Sequence, residues 1–196
     1  MDAMTSEIAA TAARLVVEEG LEYGPAKRRA VAQLGMGRAP LPGNDVLEDA
    51  VREYIELFCG DTQPEELRAL RVLALTWMER MAHFRPHLCG AVWFGTATRL
   101  SDISIQMFCD DPKSAEIALI DHRVPYEPTT TTGFRGDAVE ALSFASRSPE
   151  LDVVVGIHLM VHDLDDLRGA LKPDSKGRTP RGDIAAVRRL LQDTAR

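Results

Sequence analysis

Cysteines are few in this sequence of 196 residues, and long apolar runs are missing. None of its three cysteines belongs to a Cys-x-x-Cys pair, so we expect no zinc site but reduced thiols, as in a cytoplasmic protein. No apolar run reaches about 18 residues, which predicts no transmembrane helix and no membrane partner. The first seven residues hold two acids and no Lys or Arg, which does not fit a secretory signal.

Several common catalytic signatures are also absent. The sequence has no Walker loop, no Rossmann glycine run, no Gly-x-Ser-x-Gly elbow and no His pair at metalloprotease spacing. A formal net charge of −7 speaks against a large nucleic-acid interface. One compact basic run, Lys27-Arg28-Arg29, could instead contact a phosphate or an acidic partner.

The first third of the sequence has helical periodicity. Apolar residues recur at helical spacing over residues 6–19, 25–34, 44–58 and 62–81. Asn44 is a candidate N-cap, and the run from Thr62 to Glu65 matches a capping box. We therefore predict a helical region over residues 1–83.

The remainder alternates between extended and helical patterns. Strands are predicted over residues 88–94, 102–108, 124–126, 139–145 and 151–161, helices over 112–121 and 184–191, and a loop over 172–182. The strand over 124–126 could also continue into the threonine run 129–132. Helices that cover one face of a mixed sheet would bury these apolar stripes. The expected fold class is α+β, with an α/β core over residues 84–196 that ends in a C-terminal helix.

The stretch around residues 95–104 holds the candidate chemistry. Gly95 and Thr96 would end the first strand and offer a tight turn, a hydroxyl and a backbone N–H to a phosphate oxygen. Arg99 could add positive charge. Asp102 opens the next strand, and side chains at positions 102 and 104 share one strand face.

These residues resemble the signature of the DNA polymerase β-like nucleotidyltransferase superfamily. That signature is Gly-Ser, a short spacer, then Asp-hydrophobic-Asp or Glu on a strand, with a third acid on a later strand. Gly95-Thr96 and the run Asp102-Ile103-Ser104 match it in part. The whole chain is also similar to uncharacterised bacterial nucleotidyltransferase-like proteins, through Ala26-Lys27-Arg28 and the lead-in from Phe84 to Gly90 (Phe-x-Pro-x-Leu-x-Gly).

The resemblance implies transfer of NMP from a nucleoside triphosphate to an unknown acceptor, with Mg²⁺ or Mn²⁺ as cofactor. Two positions would ligate the metal, Asp102 and Asp152, and Glu140 is the alternative third acid. Both candidates for the third acid lie between apolar residues. The nucleotide and its phosphates would contact the following residues: Gly95, Thr96, Arg99 and Ser104.

Ser104 departs from the superfamily pattern, because a neutral hydroxyl replaces the second metal acid. Loss of one preorganised charged group costs about two to three orders of magnitude in rate. The alternative is therefore a catalytically degenerate nucleotidyltransferase fold that binds a ligand or another protein. A third hypothesis is an accessory protein that binds nucleic acid through Lys27, Arg28 and Arg29.

Overall fold

The computed structural model describes residues 3–37, 39–174 and 176–193. Its contacts divide the chain into two units. The first comprises Met1–Glu66 and Thr96–Leu100, and the second comprises Leu67–Gly95 and Ser101–Arg196. The main segment of the first unit ends at Glu66, within the region predicted to be helical over residues 1–83. A search of the described residues finds no helix long and apolar enough to cross a membrane.

Three helices form the first unit: α1 (Ala3–Glu19), α2 (Tyr23–Gln33) and α3 (Asn44–Phe58). Their buried residues include Ile8, Leu15 and Leu47. The N-cap of α3 is Gly43, not Asn44. The Asn44 side chain instead accepts a hydrogen bond from Lys27 Nζ at 2.7 Å, so Asn44 links α2 to the start of α3.

Specific polar contacts hold the segment Thr96–Leu100 within the first unit. Gln63 donates from its side chain to the Ala97 carbonyl at 2.8 Å, and the Arg99 N–H donates to Glu66 Oε2 at 2.9 Å. Gln63 is buried, so this hydrogen bond also satisfies an amide that would otherwise lose its solvation.

Most of the second unit is a six-stranded sheet with helices. Helix α4 (Gln63–Arg80) enters it from Leu67 onward. The later elements follow in chain order: a 3-10 turn (Ala82–Phe84), β1 (His87–Cys89), α5 (Gly90–Phe94), β2 (Ile103–Cys109), α6 (Pro112–Asp121), β3 (Glu127–Thr132), β4 (Ala138–Ser148), β5 (Val153–Asp163), a 3-10 turn (Leu164–Asp166), α7 (Leu167–Ala170), β6 (Arg181–Gly182) and α8 (Ile184–Asp193).

The strand order is β3-β4-β5-β2-β1-β6. Strands β2 and β5 are parallel, and each of the other neighbouring pairs is antiparallel. The predicted α+β class with a mixed sheet is therefore confirmed. The sheet places β5, which is distant in sequence, directly beside β2.

The two faces of this sheet differ in chemistry. On one face, Ile105, Leu142 and Leu159 are fully buried, and Trp77 of α4 packs edge-on against Phe144 at 4.5 Å between ring centroids. We call this the helix-covered face. The opposite face, here the polar face, presents the alternate residues of the central strands: Ser104, Gln106, Phe108, Ser143, His158, Met160 and His162.

The predicted strand over residues 88–94 is wrong beyond Cys89. Strand β1 ends there, and Gly90 turns the chain with φ of +68° into the short helix α5. Gly95, with φ of +83°, ends this helix and not a strand. Apolar composition alone did not separate the two states, because a short buried helix is as apolar as a buried strand. The predicted loop over 172–182 likewise contains β6.

Candidate functional site

Asp102 lies at the start of β2 on the polar face. Its carboxylate accepts hydrogen bonds from the Gly156 backbone N–H at 3.1 Å and from His158 Nε2 at 3.1 Å. A Cβ at position 156 would lie 2.5 Å from Asp102 Oδ1. Glycine on β5 therefore allows the carboxylate to lie against the neighbouring strand.

His158 connects Asp102 to a hydroxyl group. Ser143 Oγ lies 2.8 Å from His158 Nδ1, across the pair β4–β5. Because a carboxylate can only accept, His158 Nε2 carries a hydrogen. In the neutral imidazole Nδ1 is then the acceptor, and the Ser143 hydroxyl donates to it. The result is a chain of hydroxyl, imidazole and carboxylate.

The hydrogen bonds around the Asp102 carboxylate keep it ionised. The hydrogen bond from His158 lowers the pKa of the Asp102 carboxyl below its ordinary value. Partial burial raises this pKa, whereas the charge of His158 and the Gly156 N–H lower it further. The Asp102 side chain is 56% exposed to solvent, and the His158 side chain is 35% exposed. Both groups are therefore open to a ligand in solvent.

A continuous row of residues crosses the sheet at the level of His158. His158 is opposite Ser104, Ser104 is opposite Cys89, and Cys89 is opposite Arg181. We call Ser143, His158, Ser104, Cys89 and Arg181 the polar row. Burial raises the pKa of the Cys89 thiol to about 12, so this cysteine remains a protonated thiol and is not a nucleophile.

Neither predicted third acid lies beside Asp102. Asp152 sits in the turn between β4 and β5 with φ of +54°, where it pairs with Arg147 and its side chain is 78% exposed. Glu140 belongs to the helix-covered face, since it is opposite Val161, and it lies near Lys113 and Glu116 of α6.

The predicted phosphate-binding residues divide between the two units. Gly95 belongs to the second unit, whereas Thr96 and Arg99 belong to the first. Thr96 is buried, and its hydroxyl has no hydrogen-bond partner among the described residues. Arg99 is exposed. Ser104 is the one predicted nucleotide contact that lies on the polar face next to Asp102 by strand position.

Sequence reasoning missed the residues that are hydrogen-bonded to Asp102 directly or through His158. Ser143, Gly156 and His158 lie more than 40 residues away in the chain, and only the strand register aligns them with position 102. A partial signal existed, because His158 and His162 share strand parity. Gly90 was also missed; it is the glycine that directly follows β1, and a Cβ there would lie 3.9 Å from Ser104 Cβ.

The residues around Asp102 do not match a two-metal site. Mg²⁺ prefers carboxylate and other oxygen ligands in octahedral geometry. The polar-face positions of β2, β4 and β5 add no second carboxylate to Asp102, and the described residues contain no group of three or more His, Cys, Asp or Glu side chains that could hold a metal. Ser104 and His158 occupy the positions next to Asp102.

The chain of Ser143, His158 and Asp102 can bind and polarise a hydroxyl group. His158 can accept a proton, and Asp102 can stabilise the resulting imidazolium. Acyl transfer also requires preorganised donors for an oxyanion. The Gly156 backbone N–H beside this group is already bonded to Asp102. The geometry therefore favours binding and proton exchange.

Two of the three basic residues in the run on α2 form polar contacts within the first unit. Lys27 donates to the Pro42 carbonyl at 3.0 Å as well as to Asn44. Arg29 pairs with Glu19. These contacts reduce the positive charge that the run presents to a phosphate.

Comparison with protein-family models, with curated proteins and with solved structures found no significant match for this chain.

Proposed function

We propose that this protein is a nucleotidyltransferase-like ligand-binding protein that has lost two-metal NMP transfer. The observation behind this proposal is the immediate surroundings of Asp102. Where the superfamily signature requires further acids, Asp102 contacts the His158 imidazole, which in turn contacts the Ser143 hydroxyl. Such a site has one negative charge, half-open side chains and several hydrogen-bonding groups, which suits a polar ligand such as a nucleotide.

The strand arrangement supports the same proposal. A glycine turn at Gly90 after β1, and Asp102 immediately before β2, keep the order of a glycine followed by an acid on the next strand that the superfamily signature has. On β5, which runs parallel to β2, the residue opposite Ser104 is His158. This is where an acid on a later strand would need to lie to share a ligand with positions 102 and 104.

Titration calorimetry with each of the four nucleoside triphosphates, with and without Mg²⁺ or Mn²⁺, tests the proposal. We expect binding that does not depend on the metal and that weakens about ten-fold in Asp102→Asn, since one or two hydrogen bonds to a charged group are lost. Asp152→Asn is the matched control, because it neutralises an exposed acid outside the site. The absence of heat with all four nucleotides would contradict nucleotide binding.

NMP transfer from a nucleoside triphosphate with Mg²⁺ stays the second candidate function, favoured by the half-exposed and ionised carboxylate of Asp102. Release of pyrophosphate that requires both Mg²⁺ and Asp102 would establish it and refute the proposed loss of catalysis. In the double variant Ser104→Asp/His158→Asp, which restores three acids on the polar face, we expect nucleotide binding to become metal-dependent. Unchanged metal affinity would mean that these positions do not share one site.

A further inference from the structure

Arg181 is a buried cation at the β6 end of the polar row. It is 7% exposed, its Nη1 hydrogen-bonds Gln106 Oε1, and its guanidinium lies 4.7 Å from the centre of the Phe134 ring. No carboxylate of the described chain forms an ion pair with it, and its Nε has no hydrogen-bond partner there. Gln106 and Phe134 are both neutral, so the positive charge is not compensated.

An uncompensated buried charge is costly to keep in a fold. Removal of a guanidinium from water costs several kcal/mol unless an opposite charge is close. Burial accordingly lowers the pKa of Arg181. A group of this kind that serves no ion pair within the protein is the feature expected of an anion-binding residue.

His162 is a second unsatisfied group in the same place. It is 2% exposed, and its Nε2 has no hydrogen-bond partner among the described residues. Its ring stacks on Phe108 at 5.4 Å between centroids and contacts Phe134 at 5.1 Å. Phe134 therefore touches both Arg181 and His162, which places two unsatisfied nitrogen-bearing side chains beneath one aromatic ring.

Phe134 has the properties of a cover over these groups. It is only partly buried, and it lies in the short connection between β3 and β4. Hydrogen bonds from Gly133 N–H to the Asp137 carbonyl and from Gly136 N–H to the Gly133 carbonyl close this connection on itself. Movement of the ring would expose the guanidinium without a change in the sheet.

We propose that Arg181, His162 and Gln106 form an anion pocket beneath Phe134 that receives a phosphate group. The pocket offers charged and neutral N–H donors. It lies on the same face of the sheet as Asp102 and His158, and its His162 is four residues beyond His158 on β5, about 13 Å along the strand. This inference rests on the proposed function, because it assigns the phosphate end of a ligand that lies on the same polar face.

Calorimetry without metal tests the pocket with three probes: inorganic phosphate, ATP and adenosine. We expect phosphate and ATP to bind and adenosine to bind at least ten-fold more weakly than ATP. In Arg181→Gln the affinity for phosphate and ATP should fall about ten- to a hundred-fold, which corresponds to the loss of a charge-assisted hydrogen bond.

Arg188→Gln is the matched control, because it removes an exposed arginine of α8 that pairs with Glu79. Binding of phosphate alone would identify a free-anion site, and binding of both would identify a nucleotide phosphate.

Phe134→Ala provides a variant that keeps both nitrogen-bearing groups and tests the cover. It should bind phosphate at least as tightly as the wild type and associate faster. A folded Phe134→Ala protein with weaker phosphate binding would overturn the pocket, as would an Arg181→Gln protein with wild-type affinity for phosphate and ATP.

The two proposals can fail separately. If Asp102→Asn weakens ATP binding and Arg181→Gln does not, the proposed function stands and the anion pocket is refuted. If Arg181→Gln abolishes phosphate binding and no nucleotide binds to the wild type, the pocket stands and the proposed nucleotide function is refuted.

Discussion

The two faces of the sheet are formed by the same strands but differ in burial and in the chemistry of their side chains. On β5, Leu159 points to the helix-covered face and is fully buried, whereas the neighbouring His158 and Met160 point to the polar face and remain partly exposed. The helix-covered face binds α4 through apolar contacts. The polar face carries the hydrogen-bonded chain of Asp102, and it contains the unsatisfied groups of Arg181 and His162. Stability and candidate function are thus separated by strand parity.

A matched pair of substitutions on β5 tests whether the two faces differ in packing. Leu159→Ala should lower the free energy of unfolding by about 2–5 kcal/mol, because it leaves a cavity in a close-packed core. Met160→Ala, one residue later on the polar face, should cost less than about 1.5 kcal/mol. Urea unfolding followed by circular dichroism measures both. Equal losses would show that the polar face is packed as tightly as the other face.

Gly156→Ala tests whether the polar face needs a glycine beside Asp102. The new methyl group would meet the Asp102 carboxylate, which must then leave its hydrogen bonds to position 156 and to His158. We expect a loss of about 1 kcal/mol and a change in the NMR signals of the His158 imidazole. Gly37→Ala is the control, since a Cβ there meets nothing within 4 Å. An unchanged imidazole spectrum in Gly156→Ala would contradict the described position of Asp102.

The two buried histidines of the polar face predict a pH dependence. Burial is the main cause that lowers the pKa values of His87 and His162. The unfolded chain, with ordinary histidine values near about 6.5, then binds more protons than the folded chain. The contribution of these histidines to the free energy of unfolding should be fully present above that pH. It should decrease as the pH falls through their lower pKa values in the folded protein. Thermal unfolding between pH 8 and pH 5 should therefore show a decreasing Tm.

His162→Gln isolates one of these contributions. It should reduce the difference in Tm between pH 8 and pH 5, whereas His122→Gln, which changes an exposed histidine, should leave it as in the wild type. The same slope in all three proteins would mean that His162 does not titrate on unfolding.

The smallest expected effect comes from the acid in the β4–β5 turn. Asp152→Asn removes the charge of a surface pair with Arg147 and keeps a residue type that tolerates the φ of +54°; both side chains are at least 70% exposed. The change in unfolding free energy should stay within about 0.5 kcal/mol, and ligand affinity should not change. A ten-fold loss of nucleotide affinity in Asp152→Asn would restore Asp152 as a functional acid.

Periodicity predicted most helices and strands, because amphipathic spacing reflects which side of an element is buried. It identified the strand that begins after Asp102 and the helices over residues 44–58 and 112–121. It failed between Gly90 and Phe94, where apolar composition does not distinguish a buried strand from a short buried helix. The predicted site also included Asp152 and Glu140, because both are acids flanked by apolar residues. Local sequence cannot show that one lies in a turn and the other on the opposite face.

The alternating pattern is enough to predict that a strand begins at Asp102 and that Ser104, a neutral residue, lies on the same face. The groups that meet these two residues depend on strand pairing. Parallel pairing of β2 with β5 aligns residues more than 50 positions apart, and a shift of one residue in that register would turn His158 away from Asp102. The helices α4 and α6 cover one face of the sheet, and the polar side chains lie on the other face. The neighbours of Asp102 are therefore a property of the strand register, which no local pattern encodes.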